Sequence, residues 1–221
     1  MAIIEKWIPT EIQLENAQEA FEYLYELISK TGVDYQDTKC LFNIGFTIMS
    51  PMDNIITTKY RNWKEDYAKK EWQWYLSGNK DASEIAKDAK IWYKCMDING
   101  HVNSNYGNTW KLKNQLQYAI NELITNKESR RAFITLSDAK NRWNFENDTP
   151  CTYAINFYIN EGKLNMNVMM RSNDLWFGFC NDQYCFSKLQ EYVANQLELP
   201  IGKYHHFVNN IHIYNNFLNK Q

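Results

Sequence analysis

Between Thr152 and Met170 the chain changes period, and that change restricts its possible folds more than any other feature of the sequence. YAINFYIN and KLNMNVMMR alternate with the period of two that a strand requires, placing Leu164, Met166, Val168 and Met170 on one face. Glu161-Gly162 supplies the turn between them. RAFITLS, just upstream, has the same character, so the three runs are expected to share a sheet. Before them the spacing is mostly helical. Thr10 with Gln13 reads as a capping box opening an amphipathic helix through Ile12, Leu14, Ala17, Phe21, Leu24 and Ile28, which Gly32 stops. A strand-like run, CLFNIGFTIM, follows. From Asn62 to Gly78, Trp63, Tyr67, Trp74 and Tyr75 recur at helical spacing, with Glu71 on the same apolar face. Asp81 and Glu84 open a shorter helix through Ile85, Ala89 and Trp92, and another carries Leu116, Ile120 and Leu123. A late helix over Phe186, Leu189, Val193 and Leu197 precedes a closing strand, NNIHIY. This order predicts an α+β fold, a mixed or antiparallel sheet packed with helices.

No repeat, linker or low-complexity stretch interrupts the chain, so residues 1–221 are expected to form a single domain. A net charge of −2 gives no global attraction to a polyanion; a small anionic ligand held by local basic residues fits better, with no nucleic acid required. Cys40, Cys95, Cys151, Cys180 and Cys185 form neither a CxxC pair nor a Cys/His metal spacing, and their odd number argues against a disulfide framework. No metal is expected, and a reducing, cytoplasmic compartment fits. No apolar run is long enough to span a membrane, and the first residues lack the marks of a signal peptide.

A few residues could carry chemistry. Cys151 is either an inert small hydrophobe or, entering a strand just after a proline in Asp148-Thr-Pro-Cys, a nucleophile whose thiol a nearby arginine would acidify. Arg130 and Arg131 are either a solvated strand end or anion ligands, and Arg171-Ser172 pairs an arginine fork with a hydroxyl suited to a phosphate. Glu71, on an aromatic helix face, either pairs, snorkels or stays partly protonated for proton transfer. His212 and Tyr214 share a strand face opposite Ile211 and Ile213 and either bond a sugar hydroxyl or cap the core edge.

Taken together, these segments resemble a family. TPCTYAINFYINEGKLNMNVMMRSNDLWFGFCNDQYCF is similar to the catalytic core of thymidylate synthases, and RSND, FGF and ND bring it closest to the deoxycytidylate hydroxymethylases of T-even bacteriophages. EWQWYLSG, AKIW, NSNYGNTW and ESRRAFI upstream, and IHIY downstream, fall in the family's order, so the likeness runs from about Glu71 to Tyr214. It implies a thymidylate synthase-like fold, a pyrimidine nucleoside monophosphate substrate and 5,10-methylenetetrahydrofolate as cosubstrate. It implies Cys151 as the nucleophile at C6, Glu71 as the proton-relaying carboxylate that also helps position folate, and Tyr106, in the block with Asn105, near the C5 proton. Arg171 and Ser172 would bind phosphate, Arg130 and Arg131 the phosphate of the other subunit of a homodimer, and His212 and Tyr214 the sugar. Trp92, Asp174 and Gly178 would lie on the folate side. Asp182 stands where a thymidylate synthase has asparagine, which implies a choice of cytosine over uracil. The alternative from the residues alone is that Asp182 caps a helix beginning near Gln183.

There are departures. Thr152 replaces the histidine that usually follows the nucleophile, and the arginine of the family's N-terminal phosphate loop has no counterpart, with Lys30 or Lys39 as substitutes. The chain stops soon after Tyr214, where most thymidylate synthases continue into a closing tail, so closure is expected to differ and water to reach the reacting carbon. The expected reaction is therefore C5 hydroxymethylation of dCMP. A CMP hydroxymethylase, a C5-methylase and a non-catalytic nucleotide- or RNA-binding relative are the alternatives.

Overall fold

The computed structural model describes residues 12–137 and 147–220. A short strand, β1 (Ile12–Leu14), leads into helix α1 (Ala17–Thr31). The expected helix therefore starts later, because Ile12 and Leu14 pair in parallel with Phe46 and Ile48 instead of extending α1. Thr10 lies outside the described residues, and the N-cap is Asn16, whose side chain accepts from the Glu19 N–H at 2.9 Å while Glu19 reaches back to the Glu15 N–H. Gly32 does close α1, through its N–H on the Ile28 carbonyl. Strands β2 (Val33–Tyr35) and β3 (Thr38–Ile48) follow.

Helix α2 (Glu65–Ser77) begins after Trp63, and its buried stripe is Ala68, Glu71 and Tyr75. The expected helix through Ile85, Ala89 and Trp92 is divided into a single 3₁₀ turn, Ile85–Lys87, and α3 (Ile91–Cys95). Two further helices, α4 (Tyr106–Lys111) and α5 (Gln115–Thr125), precede β4 (Phe133–Thr135). α4 crosses α2 backbone to backbone at Gly107, where an added Cβ would stand 1.6 Å from the Tyr75 carbonyl oxygen. That crossing seats Tyr106 against Tyr75, ring centroids 5.4 Å apart.

β5 (Thr152–Asn160) and β6 (Lys163–Met170) form the expected hairpin, with positive φ at Glu161 (51°) and Gly162 (71°). β7 (Asn173–Asp174) and a π-helical turn, Leu175–Phe179, lead into α6 (Cys180–Gln196). β8 (Ile201–Tyr214) is longer than the NNIHIY segment expected. The described strands form one sheet in the order β1-β3-β8-β6-β5-β4, with β2 on β3 and β7 on β8. It is mixed: β8 runs antiparallel to β3 and parallel to β6. This is the α+β arrangement expected.

Leu164, Met166, Val168 and Met170 are fully buried and, with Tyr204 and Val208 of β8, meet α6 through Phe186, Leu189 and Val193 in one apolar core. α1 covers β3 through Phe21, Leu24 and Ile28. A smaller cluster, Ala82, Ile85, Ala86, Trp92 and Val102, sits beside α2 and brings Trp92 toward the Glu71 helix. Among the described residues no helix is long and apolar enough to cross a membrane.

Candidate active site

Cys151 stands at the entry to β5, half-buried, and the loop before it is fixed at two points. Asp148 is buried and accepts from the backbone N–H groups of Asn103 (2.7 Å) and Ser104 (2.6 Å) and from the Ser104 hydroxyl (2.6 Å). Arg171, at the end of β6, donates to the carbonyls of Thr149 (2.6 Å) and Pro150 (3.1 Å), and its Nη2 lies 3.7 Å from the Cys151 Sγ. The arginine expected beside the thiol is therefore present, but its effect is outweighed. Burial pushes the Cys151 thiol up to about 11, Arg171 pulls it down, and the carboxylates of Asp182 and Asp148 push it up further. The expectation of an acidified thiol is corrected accordingly: within this chain the desolvation of the thiolate exceeds the attraction of a single guanidinium.

Tyr106 accepts from the Thr152 N–H at 3.2 Å and stacks on Phe186 at 5.7 Å, so its own hydroxyl proton remains available. Asn105 caps α4 and donates to the carbonyls of Trp74 and Asn79, a structural role beside Tyr106.

Glu71 is buried on α2, flanked one turn away on either side by Tyr67 and Tyr75. Tyr75 donates to its Oε1 at 3.4 Å, while Oε2 is buried with no hydrogen-bond partner among the described residues. Burial raises its pKa to about 8, the charge of Asp182 adds to the rise, and the tyrosine hydroxyls oppose it. Trp92 joins this group by donating from Nε1 to the Tyr67 hydroxyl at 2.9 Å, and it packs edge-on against Trp74.

Asp182 lies inside the first turn of α6, which begins at Cys180. The reading of Asp182 as the cap of a helix starting near Gln183 is thereby overturned. Its carboxyl bonds a side chain instead: Asn173 Nδ2 donates to Oδ2 at 2.7 Å. Burial raises Asp182 to about 7, the Asn173 hydrogen bond opposes, and Asp174 adds to the rise. Asp174 itself is pushed up to about 6 by burial, against the pull of the Trp176 N–H that its side chain accepts at 2.9 Å.

Asp182 is thus within electrostatic reach of Glu71, Tyr106, Cys151 and Asp174, and Arg171 joins the group through Cys151. His212 (half-buried) and Tyr214 (exposed) lie next to them on β8, rings 5.5 Å apart, with Asp174 registered opposite His212. Ser172 is half-buried beside Arg171, and Gly178 sits in the π-helical turn facing Asn173 and Asp182. Arg130 and Arg131 are not drawn in. Both are exposed ahead of β4, and Arg131 pairs with Glu122 at 3.1 Å. Of the proposed substitutes for the missing phosphate-loop arginine, Lys30 pairs with Glu26 at the surface and Lys39 donates to the Ser29 carbonyl. Sequence reading missed Tyr67 as a partner of Glu71, although its spacing of four residues was a signal, and missed Asn173 within RSND altogether.

Buried carboxyls give this site a testable cost. The folded chain holds protons on Glu71 between about pH 4.5 and 8 and on Asp182 between about pH 3.8 and 7, where the unfolded chain has lost them. Stability should therefore fall as pH rises through that window. Glu71→Gln is expected to stabilise the fold by roughly 1–3 kcal/mol at pH 8 and by much less at pH 5. Urea unfolding at the two pH values checks this; a variant no more stable than the parent at pH 8 would contradict the buried-acid assignment.

Comparison with known proteins gives the family of the chain. A family model described as Thymidylate synthase matches residues 20–221. The deoxycytidylate 5-hydroxymethyltransferase of Enterobacteria phage T4 is 33% identical over 141 residues, covering 60% of this chain and 56% of that protein. The thymidylate synthase of Bacillus mojavensis is 30% identical over 175 residues (72% and 60%), and that of Wigglesworthia glossinidia brevipalpis 30% over 217 residues (89% and 79%). The chain thus spans a little over half the length of the phage enzyme. With the family model matched from residue 20 to residue 221, the chain belongs to the thymidylate synthase family.

Proposed function

We propose that this chain is a folate-dependent one-carbon transferase that hydroxymethylates C5 of a cytosine nucleotide, dCMP first among them. The observation that carries the reading is Asp182: a carboxyl, pushed up to about 7, in the same cluster as Cys151 and Glu71. A neutral or proton-sharing carboxyl accepts from the N4 amino group of cytosine while donating toward N3. Uracil presents the opposite pattern, with O4 an acceptor and N3–H a donor.

Cys151 Sγ adds to C6, which turns C5 into a carbon nucleophile. Bound 5,10-methylenetetrahydrofolate supplies the one-carbon unit. A folate site on the Glu71 side suits the residues present: Glu71 Oε2 is buried and unpaired among the described residues, Trp92 and Trp74 offer an aromatic flank, and Asp174 and Gly178 lie beyond Asp182. Tyr106 is assigned to hold, through its hydroxyl, the water that takes up the C5 proton, and Glu71, neutral near pH 7, gives its proton to the amine nitrogen of tetrahydrofolate as that nitrogen leaves with its bonding pair; the proton lost by the incoming water restores Glu71. Water delivers its hydroxyl to the new carbon and Cys151 leaves with its bonding pair returned. The balance is dCMP, methylenetetrahydrofolate and water giving 5-hydroxymethyl-dCMP and tetrahydrofolate. Arg171 and Ser172 are assigned to the phosphate and His212 and Tyr214 to the sugar. Arg130 and Arg131, which do not reach the cluster of their own chain, are assigned to the phosphate of a second copy in a homodimer. Their positive charge there would favour the Cys151 thiolate that burial opposes.

A second reading, a C5-methylase of the same residues, is favoured by the likeness to thymidylate synthases. Incubation with dCMP, CMP and dUMP plus the folate, with products read by mass, tests both. A hydroxymethylated cytosine nucleotide is expected, and a methylated uracil nucleotide with dihydrofolate would replace this reading with the second.

A further inference from the structure

We propose that Asn173 is the residue that positions Asp182 for base recognition and so helps set the choice between cytosine and uracil. The proposal rests on the reading of Asp182 as the group that meets the base. Asn173 opens β7, is 2% exposed, and is anchored through its backbone pairing with Ile211 of β8. Its Nδ2–Asp182 Oδ2 contact, 2.7 Å, is the single hydrogen bond that the Asp182 side chain makes among the described residues. The other end of the amide, Oδ1, is buried without a partner among the described residues. A side chain kept for packing would gain nothing from an amide half of whose polar surface is unsatisfied, so the donated bond is the reason for its chemistry.

The space for that bond is made by Gly178. A Cβ there would stand 2.9 Å from Asn173 Nδ2 and 3.4 Å from Asp182 Oδ2, against the side of their hydrogen bond. A carboxyl attached to Cβ by one rotatable bond turns freely unless something holds its plane. Asn173 does so from the side, leaving Oδ1 and the remaining lone pair of Oδ2 to meet the base edge. Facing Asp182 are Asp174 on β7, Glu71 and Tyr75 on α2, Tyr106 on α4, Cys151 before β5 and Tyr204 on β8, with Cys180 and Cys185 on its own helix. None of these is a cation, so the Asn173 N–H is the group that counters the burial of the carboxylate. Loss of the donor should therefore orient the carboxyl less well and extend its neutral form to higher pH.

The test is equilibrium binding of dCMP and dUMP, without folate, across pH 5–9. Asn173→Leu keeps the volume and removes the donor, and Gly178→Ala keeps Asn173 but drives its amide off Asp182. In each, dCMP affinity is expected to fall by roughly tenfold with dUMP little changed, as when one hydrogen-bond pattern is disturbed. The pH midpoint of dCMP binding should move upward. Circular dichroism and the melting temperature identify which variants are folded, and one folded variant suffices. Equal weakening of both nucleotides with an unmoved midpoint would overturn the proposal and leave Asn173 a packing residue. Asp182→Asn, run alongside, separates the role of Asp182 from that of Asn173. If it leaves discrimination unchanged, the reading of Asp182 fails and this proposal with it; if it shifts discrimination while the Asn173 and Gly178 variants do not, only this proposal fails.

Discussion

Cys151→Ala is expected to lower turnover by about four orders of magnitude or more, because the covalent step that makes C5 nucleophilic has no substitute among the neighbouring groups. Tyr106 and Glu71 are acids near pH 7, and Arg171 is committed to the Thr149 and Pro150 carbonyls. The fold should persist. Cys151 is half-buried at the edge of the core, so loss of its sulfur costs about 1 kcal/mol or less, and the loop remains fixed through Asp148 and Arg171. Exchange of the C5 proton should stop in the same variant, as read by tritium release from a C5-labelled nucleotide. Substantial exchange or turnover in a folded Cys151→Ala protein would refute nucleophilic catalysis by this residue.

The second large effect concerns the base. Asp182→Asn is expected to lower kcat/KM for dCMP and raise it for dUMP, shifting their ratio by roughly 100-fold or more, the scale on which a site built for one hydrogen-bond pattern rejects another. An amide at 182 can donate to O4 and accept from N3–H. Asn173 accommodates either orientation of that amide, because it has both a donor and an acceptor that is unpartnered among the described residues. The pH dependence should change as well. In the parent protein cytosine binding should weaken as pH rises through about 7, where Asp182 loses the proton it holds below that value. An amide has no such proton, so the decline should disappear in Asp182→Asn. The variant should also lower the Glu71 pKa, since the charge of Asp182 contributes to its rise. An unchanged preference for cytosine would move base selection to another residue.

The parts of the fold most legible in the sequence were those in which one strand or helix face had a uniform environment. Leu164, Met166, Val168 and Met170 show this best: all four are wholly buried, so the period of two survived in the sequence. β8 was half-read because His206 and Tyr204 look polar yet lie in the core. His206 stacks on Phe46 at 5.0 Å and bonds Tyr204, and burial keeps it neutral, pushing it down to about 3. β1 was misread because Ile12 and Leu14 fall in phase with Ala17 and Phe21, and only pairing with β3, more than thirty residues away, makes them a strand.

In the candidate site, Cys151, Glu71, Tyr106 and Asp182 were legible through the order of their motifs, and the structure brings them together. The sequence could not reveal the balance of charge around them. Arg171 beside Cys151 was foreseeable, whereas the burial that outweighs it depends on elements distant in the chain. Asn173 escaped notice because its partner is nine residues on, across a π-helical turn whose geometry no sequence period announces. Arg130 and Arg131 stand exposed ahead of β4, with Arg131 paired to Glu122, and a single chain holds nothing that bears on a phosphate ligand supplied by another copy.

Cytosine-nucleotide hydroxymethylation by this chain is tested most directly by supplying dCMP and 5,10-methylenetetrahydrofolate in ¹⁸O-enriched water and measuring the mass of the modified nucleotide. A single added CH₂O unit whose oxygen carries the solvent label is expected, with tetrahydrofolate as the folate product. A methylated nucleotide free of label, accompanied by an equal amount of dihydrofolate, would contradict it.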